Sequence, residues 1–310
     1  MPHIYLYSPS GAVRDKAGFR RATARLRALG HDVEVDEAAL SSHQRFAGDD
    51  ATRLAAIGRA AASGAHVAMT TRGGYGLTRL LPQLPYKAIH QSVERGTAWV
   101  GLSDFTALQL AALAQRKTAT WAGPALMEDF AAEAGTEPDD IMQACFDDLL
   151  QGHGEGTGWR LSLADVRAHP ALEAEKGLRI GKATLWGGNL TVLCSLLGTP
   201  YFPEVKGGIL FLEDVGEHPY RIERMLTQLL HAGVLGKQKA VLLGGFNRYT
   251  LVPHDRGFNL KTVVAWLRSQ IKAPVLTGLP FGHVPTKVVL PVGQQVQLMV
   301  QDRDALIYWG

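Results

Sequence analysis

The chain has 310 residues, of which 46% are hydrophobic and 20% charged, and 32 Lys and Arg against 29 Asp and Glu give a net charge of +3. This balance excludes a disordered chain, and so small a charge argues against a nucleic-acid-binding surface. The two cysteines, Cys145 and Cys194, exclude a disulfide scaffold and a cysteine-rich zinc module, and we interpret both as small buried hydrophobic residues.

The first half of the chain alternates between strands and helices. Strands are predicted at 3–8, 32–36, 67–71, 97–101 and 118–121, and helices at 15–29, from 49 to about 62, and from about 104 to 115. Apolar strands separated by helices favour a parallel, doubly wound sheet. We therefore predict an N-terminal Rossmann-like or flavodoxin-like domain over residues 1–150.

The pattern changes after about residue 151, where four glycines fall within eight residues and a polar stretch follows. We interpret residues 151–177 as a linker and residues 178–310 as a C-terminal α+β domain. Its strands are predicted at 178–185, 209–213, 239–243, 274–277, 285–290, 295–300 and 305–308, and its helices near 188–197, 219–232 and 259–270. The predicted fold class is therefore α/β, with two domains.

The sequence contains no recognisable targeting or membrane-spanning segment. The N-terminus, MPHIYLYSPSGAV, lacks a basic region, and Ser8, Pro9 and Ser10 break its apolar stretch. No run approaches the roughly 18 apolar residues of a membrane span. We therefore expect a cytoplasmic protein that binds neither membrane nor nucleic acid.

Two segments of the first domain follow predicted strands, where open α/β sheets place their sites. In Arg72-Gly-Gly-Tyr-Gly76 the glycines leave backbone N–H groups accessible to a ligand, although the segment can equally be a plain turn. In Gly101-Leu-Ser-Asp-Phe105, Ser103 lies between a strand and a helix, and the N–H of Asp104 is an early helical donor. Ser103 is a candidate nucleophile or an ordinary helix N-cap.

The second domain contributes acidic and histidine candidates. Glu213 and Asp214 end a predicted strand, where a carboxylate can orient a histidine, whereas Glu217 fits a helix N-terminus. A metal site at these carboxylates would need histidine ligands at fixed spacing, and only His218 is near. Among the eleven histidines, His283 stands in a loop flanked by glycine and proline, which would hold an imidazole in one place.

Together these segments resemble the LD-carboxypeptidases that trim murein tetrapeptides, a family that includes the microcin C self-immunity peptidases. The matching segments are Ser8-Pro-Ser10, Arg72-Gly-Gly-Tyr-Gly76, Gly101-Leu-Ser-Asp104, Gly187-Gly-Asn-Leu190, Leu212-Glu-Asp-Val-Gly-Glu217 and Gly282-His283. The resemblance implies a serine peptidase with nucleophile Ser103, base His283 and orienting carboxylate Glu213. It also implies a homodimer, with the active site at the interface between the two domains of each subunit.

On that resemblance, we expect hydrolysis of the L,D-peptide bond before a terminal D-alanine of a murein peptide, in cytoplasmic peptidoglycan recycling. Backbone N–H groups of Asp104 and of the Gly73–Gly74 turn, with Gly74 as the donor of choice, would form the oxyanion hole. Arg72 and Asn189 are candidates for binding the substrate, with Arg221 and Arg224 as weaker ones. No cofactor or metal is expected.

Two other functions stay open at this point, and a third does not fit the sequence. A microcin C-type immunity peptidase would cleave peptidyl-nucleotides, although the short segment 198–207 lacks an added nucleotide-binding stretch. A binding protein would use the glycine-rich loops for an anionic ligand and perform no reaction. A glutamine-amidotransferase-like enzyme needs a cysteine nucleophile at a strand–helix turn, and neither Cys145 nor Cys194 has that position.

Overall fold

The computed structural model describes residues 1–133, 135–169, 172 and 177–309. The chain divides into two compact units. Unit 1 comprises Met1–Gly154, Gly198–Pro203 and Pro285–Gly293, and unit 2 comprises Glu155–Leu197, Glu204–Val284 and Gln294–Gly310. The path of the chain is therefore not a simple succession of two domains.

Within the described residues, six strands form the sheet of unit 1 in the order β11-β5-β4-β3-β1-β2. They are β1 (His3–Tyr7), β2 (Asp32–Val35), β3 (Val67–Thr70), β4 (Ala98–Gly101), β5 (Thr120–Ala122) and β11 (Leu290–Val292). All pairings are parallel except that of β11 with β5. Every residue of β3 is buried, as expected for a strand covered on both faces.

The helices of unit 1 are α1 (Lys16–Ala28), α2 (Asp50–Ala62), α3 (Leu77–Leu80), α4 (Tyr86–Glu94), α5 (Thr106–Arg116) and α6 (Asp140–Gln151). Three of them, α1, α2 and α6, begin at an aspartate whose side chain caps the first turn. In α1, the side chain of Asp15 accepts a hydrogen bond from the Gly18 N–H, and Phe19 and Leu26 are buried. Such a cap contributes about 1 kcal/mol.

Unit 2 contains a mixed sheet in the order β10-β9-β8-β7-β12-β13-β6. Its strands are β6 (Gly156–Arg160), β7 (Leu178–Asn189), β8 (Ile209–Val215), β9 (Ala240–Asn247), β10 (Val275–Thr277), β12 (Gln295–Gln301) and β13 (Asp304–Tyr308). Strands β7 to β10 run parallel, and the pairings of β12 and β13 are antiparallel. The helices are α7 (Leu163–Ala168), α8 (Leu190–Ser195), α9 (Pro219–His231) and α10 (Leu260–Gln270).

The predicted fold class is confirmed: a doubly wound, mostly parallel domain precedes an α+β domain. The strand predicted at 285–290 is wrong, because the strand in this region is Leu290–Val292. The sequence pattern failed there because residues 287–290 are buried without belonging to a continuous strand. The sequence analysis also predicted no helix over Tyr86–Glu94.

The segment predicted as a linker, 151–177, contains β6 and α7 of unit 2. Strand β6 pairs with β13 at the edge of the sheet, and Ser162 caps α7. Residues 170, 171 and 173–176 of the predicted linker lie outside the described residues, as does residue 310 of the predicted second domain. Among the described residues, no helix combines the length and the apolar character needed to cross a bilayer.

The segment Pro285–Gly293 belongs to unit 1 and contains a buried lysine, Lys287. The ammonium of Lys287 lies 2.5 Å from Asp129 Oδ1, and both side chains are 2% exposed. Burial raises the pKa of Asp129, while the charge of Lys287 lowers it. Thr286 adds a hydrogen bond to Asp139. These contacts fasten the residues that follow His283 in sequence.

Replacing Lys287 with methionine should lower the free energy of unfolding by about 3–5 kcal/mol, because the Asp129 carboxylate loses its buried partner. This loss of unfolding free energy should be larger at higher pH. A buried acid with a raised pKa binds its proton more tightly in the folded state, so stability falls as pH rises. Urea unfolding at pH 5 and pH 8 measures both effects. The double variant Lys287→Met/Asp129→Leu should recover most of the loss, and a single variant as stable as the parent would contradict the assignment.

Candidate active site

Ser103 lies at the turn between β4 and α5, at the start of the short helical turn Ser103–Phe105. Its φ is +66°, a left-handed conformation that is strained for a residue with a side chain. Neither this turn nor α5 is capped by a side-chain hydrogen bond. The hydroxyl of Ser103 therefore does not serve as an N-cap, which was the ordinary structural role open to it.

The turn around Ser103, residues 101–105 (the serine turn), needs glycine at its start. A Cβ added at Gly101 would lie 2.6 Å from the ring of Phe105. Phe105 stands where a nucleophile elbow has its last glycine, and its buried ring packs back over Gly101 instead. Ser103 therefore lies at a strand–turn–helix junction, as in a nucleophile elbow, but the packing of Phe105 on Gly101 replaces the last glycine of that motif.

Residues 72–76, the glycine loop, pack directly on the serine turn. A Cβ at Gly73 would lie 2.6 Å from Ser103 Cβ and 2.8 Å from its Oγ, so only glycine fits. Gly74 has a φ of +118°. Within the described part of the chain, the N–H groups of Gly73 and Gly74 donate to no acceptor. They are available to bind an oxyanion beside Ser103.

Glu213 and His283 meet in unit 2. Glu213 lies on β8 with 0% exposure, and its Oε2 is 2.8 Å from Nδ1 of His283, whose side chain is 7% exposed. A carboxylate at Nδ1 fixes the imidazole tautomer that keeps Nε2 as the proton acceptor. The expected pairing of these two residues is thus present.

Two backbone features position the loop that carries His283. Gly282 has a φ of +124°, and a Cβ there would lie 3.0 Å from Glu213 Oε2. The backbone carbonyl of His283 accepts a hydrogen bond of 2.8 Å from the Asn247 amide. A glycine before the histidine therefore lets the loop approach the carboxylate closely.

The Glu213 carboxylate is itself oriented by a neighbouring amide. Asn189, at the end of β7, donates from Nδ2 to Glu213 Oε1 at 3.1 Å and to Asp214 Oδ1 at 3.0 Å. Its carbonyl oxygen caps α8 through the Val192 N–H. Burial raises the pKa of Asp214, and hydrogen bonds from Thr191 oppose that rise. Asn189 thus holds one oxygen of Glu213 while His283 occupies the other.

The arginines considered for substrate binding have different environments. Arg72, the first residue of the glycine loop, donates to the Ala12 carbonyl at 3.2 Å, and no ion pair is found for it among the described residues. Arg221, in the first turn of α9, is paired with Glu217, which lies just before that helix, so the carboxylate already has a local partner. Arg224 lies 5.8 Å from the ring of Tyr220. Arg72 is therefore the candidate whose charge is not already used.

Comparison with known proteins decides the family. The model of the LD-carboxypeptidase N-terminal domain matches residues 4–123, and that of the C-terminal domain matches residues 182–298. A putative carboxypeptidase of Synechocystis is 32% identical over 307 residues, covering 97% of this chain and 92% of the relative. The chain belongs to the LD-carboxypeptidase family.

Other relatives of this chain bear more specific names. A probable murein peptide carboxypeptidase of Bacillus subtilis is 28% identical over 92% of this chain and 85% of its own length. The crystal structure of a muramoyltetrapeptide carboxypeptidase from Oxalobacter formigenes is 36% identical, with a TM-score of 0.83 over 98% of this chain and 97% of that one. The microcin C7 self-immunity protein bound to glutamyl sulfamoyl guanosine has the same TM-score at 22% identity, which shows a shared fold.

Family membership confirms the resemblance inferred from the sequence and assigns the chain to the peptidases. The contacts of Asn189 with Glu213 and of Asp104 with Ser10 were not among the predictions from sequence. For the contact of Asn189 with Glu213, the sequence offered one indication, since Asn189 follows two glycines at the end of a strand. Among the described residues, no group of three or more His, Cys, Asp or Glu side chains could hold a metal ion.

Proposed function

We propose that this LD-carboxypeptidase is a serine peptidase that cleaves the L,D-peptide bond before the terminal D-alanine of murein tetrapeptides. Ser103 is the nucleophile, His283 the general base and Glu213 the carboxylate that orients it. The observation that carries the proposal is the buried contact of 2.8 Å between Glu213 Oε2 and His283 Nδ1 in a member of a peptidase family. The strained, uncapped Ser103 supports the choice of nucleophile.

Acylation begins with proton transfer from Ser103 Oγ to Nε2 of His283. Oγ attacks the carbonyl carbon that precedes the terminal D-alanine, and the carbonyl π electrons move to its oxygen. The N–H groups of Asp104 and Gly74 bind this oxyanion, and each such donor contributes about 3–4 kcal/mol. Collapse breaks the C–N bond, and the imidazolium gives its proton to the departing amine of D-alanine.

Deacylation repeats the same proton movements with water. His283 accepts a proton from a water molecule, whose oxygen attacks the ester carbon on Ser103. The tetrahedral intermediate expels Ser103 Oγ, which recovers its proton from the imidazolium. The products are a tripeptide with a free carboxylate and one D-alanine. Glu213 keeps its charge and stabilises the imidazolium in both halves of the reaction.

The substrate carries carboxylates that need cationic partners. Arg72 is the proposed partner of the terminal carboxylate, because its planar guanidinium can bind both oxygens and is not neutralised by an acid. The predicted substrate contact of Asn189 stays part of the proposal. Its hydrogen bonds to Glu213 and Asp214 support a second role in orienting the catalytic carboxylate.

The proposal includes the setting of the reaction. Murein tetrapeptides are products of cell-wall turnover. An enzyme that removes their terminal D-alanine in the cytoplasm would act in peptidoglycan recycling. A homodimer, with a complete triad in each subunit, is the proposed assembly. The names of the murein peptide and muramoyltetrapeptide carboxypeptidases support the substrate class.

Incubation with the tetrapeptide L-Ala-γ-D-Glu-meso-diaminopimelate-D-Ala should release D-alanine and leave the tripeptide, as followed by mass spectrometry. The isomer ending in L-alanine should stay intact, because inversion of the terminal centre moves its carboxylate away from the cation that orients it. Turnover should persist with a strong chelator, since Ser103 and His283 need no metal.

Aspartyl sulfamoyl adenosine provides the competing substrate, since the microcin C7 self-immunity protein has been crystallised with it. Its hydrolysis at a higher kcat/KM than the tetrapeptide would assign the chain to the immunity function instead. Failure to release D-alanine from the tetrapeptide under any of these conditions would refute the murein proposal. Turnover lost to the chelator and restored by zinc would refute the serine mechanism.

A further inference from the structure

We propose that the carboxyl group of Asp104 is a positioning residue that fastens the glycine loop to the serine turn and so fixes the oxyanion hole. This inference rests on the proposed function, in which the backbone N–H of Asp104 is an oxyanion donor. It adds a role for the side chain of the same residue. Asp104 is 2% exposed, and a carboxyl buried this deeply needs hydrogen-bond partners.

One oxygen of Asp104 joins two other segments. Oδ2 accepts a hydrogen bond of 2.7 Å from the hydroxyl of Ser10 and one of 2.9 Å from the N–H of Leu77. Ser10 follows β1, Leu77 begins α3 immediately after the glycine loop, and Asp104 follows β4. The single oxygen therefore connects the segments that follow three neighbouring parallel strands, β1, β3 and β4.

The same segments are also connected by backbone contacts. The Gly11 N–H donates to the Gly73 carbonyl at 3.2 Å, so the residue after Ser10 holds the start of the glycine loop. The N–H of Leu77, three residues after Gly74, is held by Asp104. Gly74 is thus fixed from both sides, and one of the two fixing contacts comes from the residue adjacent to Ser103.

This arrangement matters because an oxyanion hole depends on preorganised donors. Without the Asp104 carboxyl, the Leu77 N–H and the Ser10 hydroxyl lose a buried acceptor, and the glycine loop must shift to find others. A displacement near 1 Å at a reacting centre can cost about a hundredfold in rate. The loss should fall on kcat, since the donors act on charge that develops in the transition state.

Asp104 serves as a hydrogen-bond acceptor for the Ser10 hydroxyl and the Leu77 N–H. It forms no salt bridge among the described residues. Burial raises the pKa of its carboxyl, while the hydrogen bonds from Leu77 and Ser10 lower it. An amide oxygen in the same place should therefore replace much of its function.

The test compares four variants with the parent on the tetrapeptide. Asp104→Ala should lower kcat about a hundredfold with KM within threefold, and Asp104→Asn should recover at least tenfold of that loss. Ser10→Ala removes one of the two bonds and should lower kcat about fivefold. Asp36→Ala is the control, because Asp36 is a buried carboxylate of unit 1 that accepts bonds from a hydroxyl and a backbone N–H and, in addition, from Arg59. It should lower Tm and leave kcat within twofold.

Amide hydrogen exchange supplies a readout that needs no substrate. Exchange in the peptide 72–80 should be at least tenfold faster in Asp104→Ala than in the parent or in Asp36→Ala. Equal exchange, or a kcat within threefold of the parent, would overturn the inference even if the enzyme cleaves the tetrapeptide. If Asp104→Ala does not fold, kcat and amide exchange in Asp104→Asn and Ser10→Ala test the inference instead. A parent without turnover refutes the proposed function, while exchange still tests the contact.

Discussion

Replacing Ser103 with alanine is expected to lower kcat on the tetrapeptide by at least about ten-thousandfold while leaving substrate binding nearly unchanged. Loss of the nucleophile in a serine peptidase costs up to about a millionfold, and the residual rate comes from the oxyanion hole and binding. The substitution removes one oxygen atom. It leaves the proposed carboxylate ligand Arg72 and the donors at Asp104 and Gly74 in place.

The variant should also keep the stability of the parent. Ser103 makes no capping hydrogen bond, and alanine at a φ of +66° carries the same backbone strain as serine. Calorimetric titration with the tetrapeptide should return a Kd within about threefold of the Michaelis constant of the parent, and Tm should not change. A variant that keeps more than about 1% of the parent kcat would show that another residue is the nucleophile.

Ser92→Ala is a suitable control for this substitution. The Ser92 hydroxyl is buried in unit 1 and bonded to the Ile89 carbonyl and the Trp99 indole, so its loss should lower stability. It should leave kcat unchanged, because none of its contacts involves the serine turn or the glycine loop. Opposite effects of the two serine variants on Tm and kcat would separate chemistry from folding.

The sequence contained enough information to predict the strand ends that bear the candidate residues. Residues 67–69 of β3 are apolar and lie shortly before the glycine loop, and the apolar residues 209–212 of β8 directly precede Glu213 and Asp214. A strand of a parallel sheet buried on both faces is mostly apolar, so the polar residues that follow such a run indicate its carboxyl end. The positions of Ser103 and Glu213 in the chain followed from this rule.

Contacts between distant segments could not be predicted from such local patterns. The bond of Leu77 to Asp104 and that of Asn189 to Glu213 depend on which strands are neighbours, and composition does not encode that order. Lys287 is a further example, because a lysine within Val-Pro-Thr-Lys-Val-Val-Leu gives no sign that Asp129, 158 residues away, will neutralise it. Contacts of this kind follow from the order of the strands in space and not from local sequence.

Replacing Glu213 with glutamine should lower kcat about a thousandfold to ten-thousandfold through the tautomer of His283. The corresponding carboxylate-to-amide change in a Ser-His-Asp triad costs about ten-thousandfold. Here the direction of the new amide is set by Asn189, whose Nδ2 donates to the Oε1 position. The carbonyl oxygen of glutamine must occupy that position, so its NH₂ group faces His283 Nδ1.

An NH₂ group at Nδ1 requires that nitrogen to be an acceptor, and the proton of neutral imidazole then resides on Nε2. A base that already bears a proton on Nε2 cannot take one from Ser103. In the parent, kcat/KM should fall as pH falls through the imidazole range, about 6.5 in an unperturbed side chain, because only neutral imidazole accepts the proton. In the variant, raising the pH should not restore activity, since the fault is the tautomer and not the charge.

The pH profiles of the parent and of Glu213→Gln, together with ¹⁵N chemical shifts of the imidazole, measure this directly. The parent should show Nδ1 protonated at neutral pH and the variant Nε2 protonated. Glu217→Gln is the matched control, because that carboxylate pairs with Arg221 and should leave kcat within twofold. A Glu213→Gln enzyme within tenfold of the parent, or a parent kcat/KM that stays flat down to pH 5, would contradict the assignment of His283 as the base. Because one tautomer permits acylation and the other blocks it, the loss should be similar for every substrate that the enzyme cleaves.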